Sequence, residues 1–416
     1  MYFIYRLLSN IIAPVIRIIV FVRMKNSKED PLRVKERFGI ALKDRPEGDL
    51  IWFHAASVGE SLSILTLIKT IKAKYEAVNI LVTTSTLTSA RMMESTLPDG
   101  CIHQFSVHDV NAWVKAFLHH WSPNLVFFVE QEIWPNMIKK IKQREVPFWL
   151  INASISQSSF EKWLIVKNFA KEVLMQFNGI FPKSKTDADR LKQLGLTNIM
   201  DIANLKYSSQ PLSYKKEDLK ELKGSIGKRH FWLATSTHPG EEALIEQAHK
   251  IILKQFPDAL CIIAPRHPNR ADRLSKELDL KTQQRSLKPK VIKDTQIYIA
   301  DTMGELGLFY ELANFAFVGG SLTPIGGHNI IEPAKQHCVA IVGPYVSNFQ
   351  DLLEEFKNSK ACITIENVDE LAQIVIKYLK DDSKLKEISM NANELIENQT
   401  NIINTYMQLI EKHLRA

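Results

Sequence analysis

Two groups of acids in the first half of the sequence have the types and spacing to do chemistry. The stretch His54-Ala55-Ala56-Ser57-Val58-Gly59-Glu60 closes an apolar run and opens a helical one. Its small residues allow close approach to the backbone, and Glu60 would face a cleft from a helix N-terminus. The same spacing fits Ser57 as a helix cap with a dipole-favoured glutamate in the first turn, so both readings stand. The second group, Glu130-Gln131-Glu132-Ile133-Trp134-Pro135-Asn136, ends the very apolar run 125–130. Charges there must be paired or in use, because burying an isolated one is costly. Pro135 is at home in the first turn of a helix, which leaves a capping acid as the plainer reading of Glu132.

Four turns in the second half carry a different signature. Thr235-Ser236-Thr237-His238-Pro239-Gly240-Glu241-Glu242 follows an apolar run and opens a helix, which makes an anion cradle. Pro265-Arg266-His267-Pro268-Asn269-Arg270 does the same after the next run and adds two guanidiniums suited to phosphate or carboxylate. Asp301-Thr302-Met303-Gly304-Glu305-Leu306 opens a further helix. The stretch from Gly319 to Pro333 places four glycines within nine residues, then His328, Asn329 and Glu332. It resembles a nucleotide-phosphate site in which a carboxylate grips ribose hydroxyls. Neither GxxxxGK[ST] nor GxGxxG occurs, so P-loop and NAD-type readings lose ground, and HExxH is absent too. Each turn alone has a structural explanation, but packing explains four in succession poorly.

These turns need a scaffold, and the sequence supplies one. Short apolar runs at 50–56, 79–85, 125–130 and 147–153 are each followed by helical spacing, the alternation of βαβ units on a parallel sheet. A long amphipathic helix over about 160–178 and the short strand GIFPKS lead to a polar, lysine-rich connection. A second series runs through 231–237, 259–266, 296–301, 315–321 and 339–344, and a helical tail begins at about 382. The fold expected is α/β, with two doubly wound Rossmann-like domains facing a central cleft. Residues 23–205 form the first domain, 206–230 the linker and 231–416 the second domain with its terminal helix. In such sheets ligands bind beyond the carboxyl ends of the strands.

Length and composition agree. A chain of 416 residues exceeds one ordinary core, and 45% hydrophobic with 24% charged residues is ordinary globular composition. Cys101, Cys261, Cys338 and Cys362 are scattered without a CxxC pair, which reads as reduced, buried thiols. The net charge of +7 is weighted to residues 1–50, where ten lysines and arginines face six acids. Residues 1–22 are largely apolar but contain Arg6, Asn10, Pro14 and Arg17, of which Arg6, Asn10 and Arg17 fall on one narrow helical stripe. This suits an anchor helix lying in a membrane interface or tilted through it, with a basic flank drawn to anionic lipid. No cleavage site follows, and a buried first helix is the plainer alternative.

With these motifs in order, the chain resembles the 3-deoxy-D-manno-oct-2-ulosonic acid (Kdo) transferases of lipopolysaccharide assembly, inverting enzymes of the GT-B fold. The resemblance rests on ASVGE at 56–60, ExE-x-WPN at 130–136, NASIS at 152–156, NLK at 204–206 and STHPGEE at 236–242. It continues through PRHPNR at 265–270, MGELG at 303–307 and GGSLTPIGGHNIIEPA at 319–334. Gln131, Ser154 and Tyr207 depart from the usual Thr, Arg and Phe. The resemblance implies a CMP-Kdo donor, a tetraacyl lipid A precursor as acceptor, no metal and no other cofactor. The expected setting is the cytoplasmic face of a bacterial inner membrane, with no nucleic-acid partner. It further implies that Glu60 is the general base toward the acceptor 6′-hydroxyl, with Glu130 and Lys206 stabilising the transition state. CMP contacts are implied for Pro265 and Arg266, for Met303, Gly304 and Glu305, and for Asn329, Ile330, Ile331 and Glu332. An inverting transfer needs a base on the acceptor face and charge compensation on the leaving-phosphate face, so the two halves must close on each other. Two other readings stay open. A UDP-sugar epimerase of similar fold would have no use for the anchor, and a membrane-surface binding module would have no use for the ordered turns.

Overall fold

In the computed structural model the apolar runs become the strands of two all-parallel sheets. The structure describes residues 1–208, 210–400 and 402–414, without the side chains of 398–400. One unit spans Met1–Ser209 and Gln399–Ala416, and the other Gln210–Asn398.

The first unit begins with α1 (Tyr2–Lys25), β1 (Leu50–His54), α2 (Val58–Lys74), β2 (Asn79–Thr84), α3 (Leu87–Thr96) and β3 (Cys101–Phe105). It continues through α4 (Asn111–Trp121), β4 (Leu125–Val129), α5 (Pro135–Gln143), β5 (Phe148–Ala153), α6 (Gln157–Ile165), α7 (Lys167–Leu174), β6 (Gly179–Pro182) and α8 (Lys185–Gln193). Its sheet runs β3-β2-β1-β4-β5-β6. Strands β1 and β4 are buried on both faces, which is why they read as unbroken apolar runs. The order reverses between these two strands, so the crevice at their carboxyl ends is the place for a ligand. The helix expected over 160–178 is two helices, α6 and α7, broken at Val166.

The second unit holds α9 (Lys216–Ile226), β7 (Phe231–Thr237), α10 (Glu241–Leu253), β8 (Leu260–Pro265), α11 (Ala271–Glu277), β9 (Thr282–Gln284) and β10 (Ile297–Ile299). Then come α12 (Leu306–Leu312), β11 (Phe315–Val318), α13 (Ile331–Ala334), β12 (Val339–Val342), α14 (Gln350–Asn358), β13 (Ile363–Thr364), α15 (Val368–Lys380) and most of α16 (Ser383–Thr400). The sheet order is β13-β12-β11-β7-β8-β10-β9, with its reversal between β11 and β7.

Two stretches lie elsewhere than the sequence reading put them. The expected linker 206–230 divides: the turn Leu205–Ser208 belongs to the first unit, where Leu205 is in the core. Helix α9 buries Leu222 and Ile226 in the second unit. Ser209, within that linker, and Asn401, Arg415 and Ala416, within the expected second domain, lie outside the described residues. The terminal helix α17 (Ile402–Glu411) was expected to close the second domain, yet Ile402, Ile403, Tyr406, Met407 and Ile410 pack in the first unit's core.

Helix α1 is docked along the first unit. The Tyr5 hydroxyl donates to Asp109 at 2.9 Å, Asn136 donates to the Ser9 hydroxyl at 2.9 Å, and Val20 is buried. Arg17, though exposed, lies over the rings of Phe38 and Trp113. The outward face is apolar: Phe3, Ile4, Leu7, Leu8, Ile11, Ile12, Val15, Ile18, Ile19 and Val22 are all exposed. Much of the basic flank is spent internally. Arg37 is buried against Glu29, Arg33 pairs with Glu36 and Glu94, and Arg45 donates to the carbonyls of Trp121, Pro46 and Gly48.

Candidate active site

In the first unit, β1 ends at His54 and Ser57 caps α2, its hydroxyl accepting from the Glu60 amide at 3.3 Å. The Glu60 carboxylate folds back to accept from the Ala56 amide at 2.7 Å and the Ser57 hydroxyl at 2.9 Å. Burial pushes this carboxyl above its ordinary range, against those two hydrogen bonds, and the nearby carboxylates of Glu132 and Glu130 push the same way. A half-buried acid with a raised proton affinity at a sheet's switch point is what a base for a neutral hydroxyl requires.

Glu130 and Glu132, two residues apart, have different fates. Glu132 is the paired one: it lies 2.8 Å from His54 Nε2 and accepts from Trp134 Nε1 at 2.6 Å. Burial works to raise its carboxyl, but His54 and Trp134 together hold it below the usual carboxylate range. It does not cap α5; the Asp109 carboxylate does, accepting from the amides of Asn136 and Met137 at 2.9 Å each. Glu130 stands in the left-handed region at φ 58°, a conformation that costs a non-glycine residue and is found where surroundings enforce it. Its carboxylate accepts from Asn152 Nδ2 at 3.0 Å and has Lys183 Nζ at 3.9 Å.

Asn152 was not singled out by sequence reasoning, though it heads the NASIS block. It is fully buried, also left-handed at φ 53°, and its Oδ1 accepts from the Leu205 amide at 3.2 Å. One amide side chain thus ties Glu130 to the turn that carries Lys206. The positive φ itself was not legible, but a polar Asn ending an apolar strand is the signal that could have marked it. Lys183 follows β6 and was hidden in the short strand GIFPKS.

In the second unit, the glycine-rich turn is not an open phosphate cradle. Glu241, completely buried, accepts from the amides of Gly320 at 2.7 Å, Ser321 at 3.1 Å, Leu322 at 3.0 Å and His238 at 3.3 Å. The protein's own carboxylate therefore fills the nest at the β11–β7 switch point. Gly319 has no alternative: a Cβ there would lie 2.7 Å from the Ser236 carbonyl oxygen and 2.8 Å from the Glu241 carboxylate. Glu241→Gln would turn an NH₂ toward these amides and strand buried donors, so stability should fall by about 1–3 kcal/mol. A denaturant melt of the full chain checks this, and an unchanged midpoint would contradict the fastening role.

The other sequence-predicted residues of this unit stand beyond the carboxyl ends of three strands of one sheet. Pro265 ends β8 and Arg266 follows it, exposed; Met303, Gly304 and Glu305 follow β10; Asn329 to Glu332 lie between β11 and β12. Asn329 donates to Glu332 at 3.2 Å and accepts from the Ile331 amide at 3.1 Å, which fixes that turn. Glu305 is held by Arg285 through two bonds of 2.5 and 2.6 Å and by the Thr302 hydroxyl. The bond from Arg285 keeps its carboxyl below the usual range. Arg285, another residue missed by sequence reading, sits on the wall of a cavity of about 760 Å³ that Met303, Gly304 and Glu305 also line. The cavity does not take in Arg266 or Glu332. Among the described residues no group of three His, Cys, Asp or Glu is arranged to hold a metal ion. In the one Asp-x-Asp spacing, Asp187 is spent on the Ile155 amide and the Ser184 hydroxyl.

Comparison with known proteins places this geometry in context. A family model described as 3-deoxy-D-manno-octulosonic-acid transferase (kdotransferase) matches residues 32–209. The chain is 34% identical over 414 residues to the 3-deoxy-D-manno-octulosonic acid transferase of Rickettsia bellii (strain RML369-C), covering 98% of each. Among solved structures, a glycosyltransferase from Rickettsia africae ESF-5 matches with a TM-score of 0.59 at 15% identity, over 89% of this chain and 100% of that one. The UDP-GlcNAc 2-epimerase of Neisseria meningitidis bound to UDP-GlcNAc matches with a TM-score of 0.60 at 10% identity, over 88% and 100%. These two likenesses are of fold, and the fold is shared by transferases and epimerases alike.

Proposed function

Because the chain belongs to the 3-deoxy-D-manno-octulosonic-acid transferase family, we propose that it moves Kdo from CMP-Kdo to the 6′-hydroxyl of a tetraacyl lipid A precursor, with inversion and without a metal. The observation that carries this reading is the gathering of Glu60 and Glu130 at the β1–β4 switch point, with Lys206 tied to Glu130 through Asn152. In the reading, Glu60 takes the proton of the acceptor hydroxyl as that oxygen attacks the Kdo anomeric carbon. The bond from that carbon to the CMP phosphate breaks, and its electron pair leaves with the phosphate. Glu130 and Lys206 act on the charge that develops between these events, and the turns of the second unit hold the nucleotide. Incubating the protein with CMP-Kdo and the tetraacyl acceptor should release CMP and add Kdo mass to the lipid. No CMP release with that acceptor present would overturn the reading.

Arg266 should meet the donor's negative charge. Arg266→Ala is expected to lose a charge-assisted hydrogen bond of about 1.5–3 kcal/mol, or roughly 10–150-fold in CMP affinity. Calorimetric titration with CMP measures it, and an unchanged affinity in a folded variant would remove Arg266 from the donor site.

The same proposal sets the protein on a lipid surface through α1. Its contacts with the first unit run from Tyr5 to Val20, most of a helix about 36 Å long. A helix docked along its length on a polar unit supports a position in the interface, apolar face down, over a perpendicular span. Removing residues 1–22 would also uncover Trp113 and Phe38, so charges on the outer face make the cleaner experiment. Ile11→Glu with Ile18→Glu should lower vesicle binding by about tenfold or more while leaving the melting temperature unchanged, since both side chains are exposed. Full vesicle binding by the double variant would overturn this placement.

A further inference from the structure

With Glu241 filling the glycine-rich nest, the amides of Gly320, Ser321 and Leu322 already have their acceptor. A donor phosphate at these turns must find its hydrogen bonds elsewhere. The side chains around the nest suit that task. His238, after β7, and His328, after β11, approach Nε2 to Nε2 at 2.7 Å with their rings parallel. His267, after β8, stands perpendicular to His238 with ring centroids 6.3 Å apart. Arg266 is exposed beside them and, among the described residues, is in no ion pair. The acids of α10 that face this group are both engaged: Glu241 by the amides, and Glu242 by Arg270 at 2.9 Å and Thr237 at 3.1 Å. Three imidazoles and a guanidinium without a free carboxylate form a receptor for an anion.

We propose that the His238–His328 pair, with Arg266 beside it, receives the phosphate of the donor nucleotide and takes up a proton as it does so. The inference rests on the donor reading given above. At 2.7 Å one Nε2 carries the shared hydrogen and the other accepts it, so the accepting ring bears its own hydrogen on Nδ1. An added proton has one place to go, the Nδ1 of the donating ring. The pair then spreads one positive charge over its bridge and presents two Nδ1–H donors. Without an anion this state is disfavoured. Burial and then the charges of His238, Arg266 and His267 bring His328 down to about 4, while burial and then His267 lower His238, against the opposing pull of Glu242. A bound phosphate reverses the sign of the local field and stabilises the protonated pair. The group's proton affinity is raised in the complex, so the extra binding is present at low pH and is lost as pH rises through the bound-state value.

The probe is cytidine 5′-methyl phosphate, a diester whose charge is constant where a monoester such as CMP would itself titrate near pH 6. Calorimetry on the full chain from about pH 6 to about pH 8.5 should show affinity rising by up to about tenfold per unit fall in pH. The measured heat should also vary with the buffer's ionisation enthalpy, reporting uptake approaching one proton per ligand. Cytidine, lacking the phosphate, should show neither effect. His238→Asn and His328→Asn should each abolish the pH dependence while keeping cytidine binding. Diester binding without pH dependence or proton uptake in the unaltered protein would overturn the inference and leave the donor reading in place. Failure of the unaltered protein to bind the diester at any pH would overturn both.

Discussion

Glu60→Gln should lower turnover by about 10²–10⁴ while CMP affinity stays unchanged and the melting temperature does not fall. The substitution is unusually clean here. Glutamine can accept from the Ala56 amide with its oxygen and donate to the Ser57 hydroxyl with its NH₂, so both bonds of the glutamate have successors. What it cannot do is accept a proton. Burial raises the Glu60 carboxyl more than its hydrogen bonds lower it, so the ionised form is disfavoured in the folded protein. The sign of the linkage follows: the folded state binds this proton more tightly than the unfolded chain, and stability drops as pH rises through the folded-state value. Removing the charge at neutral pH should therefore hold or raise the melting temperature, as at sites where function opposes stability. The rate of the unaltered enzyme should fall as pH drops through the raised value, because the base must be ionised to act. A helix-capping Glu60 predicts the opposite pair of results, near-normal turnover with a small loss of stability of about 0.3–1 kcal/mol. That outcome would leave Glu130 as the leading acid for the role.

What the sequence made legible follows burial. Strands with both faces covered, such as β1, β4 and β8, are dominated by apolar residues and stand where expected. The strands that were missed, β3, β9 and β13, all lie at sheet edges. β9 and β13 are only three and two residues long, and Cys101–Phe105 carries the buried polar pair His103 and Gln104, bound to Thr84 and Trp121, in place of an apolar signal. The terminal helix α17 has an ordinary amphipathic pattern, and nothing in such a pattern says which core its apolar face joins.

The candidate site divides the same way. Residue types announced the acids and the basic turns, because charges after apolar strands are expensive unless used. Partnerships did not show. Glu132 with His54, Glu241 with the Gly320 to Leu322 amides, and Arg285 with Glu305 are each made between segments distant in sequence. For Glu241 the consequence is a change of meaning: the glycines at 319 and 320 serve an internal carboxylate, and the anion receptor proposed above is built from imidazole and guanidinium side chains instead.

Lys206→Met should lower kcat by about 10²–10³ with CMP affinity unchanged, the loss expected when one preorganised group acting on developing charge is removed. Methionine keeps the length and apolar stem of the side chain, so the turn Leu205–Ser208, whose Leu205 and Tyr207 are buried, should still form. The structure adds a way to separate this role from mere proximity. Asn152 holds Glu130 with one end of its amide and the Leu205 backbone with the other, so it positions both groups without needing to touch a substrate. Asn152→Asp keeps the shape and the acceptor for Leu205, but its second oxygen cannot donate to Glu130 and sets a like charge against it. That variant should lower kcat in the same direction, with KM for the acceptor little changed. It should also shift the acid limb of the pH–rate profile upward, a change that a purely structural asparagine would not cause. Combined with Lys206→Met, its effect should be less than the product of the two, since both act through one unit. A kcat loss below about tenfold for Lys206→Met, or strictly multiplicative losses in the double variant, would dissolve that unit and leave Glu130 to act alone.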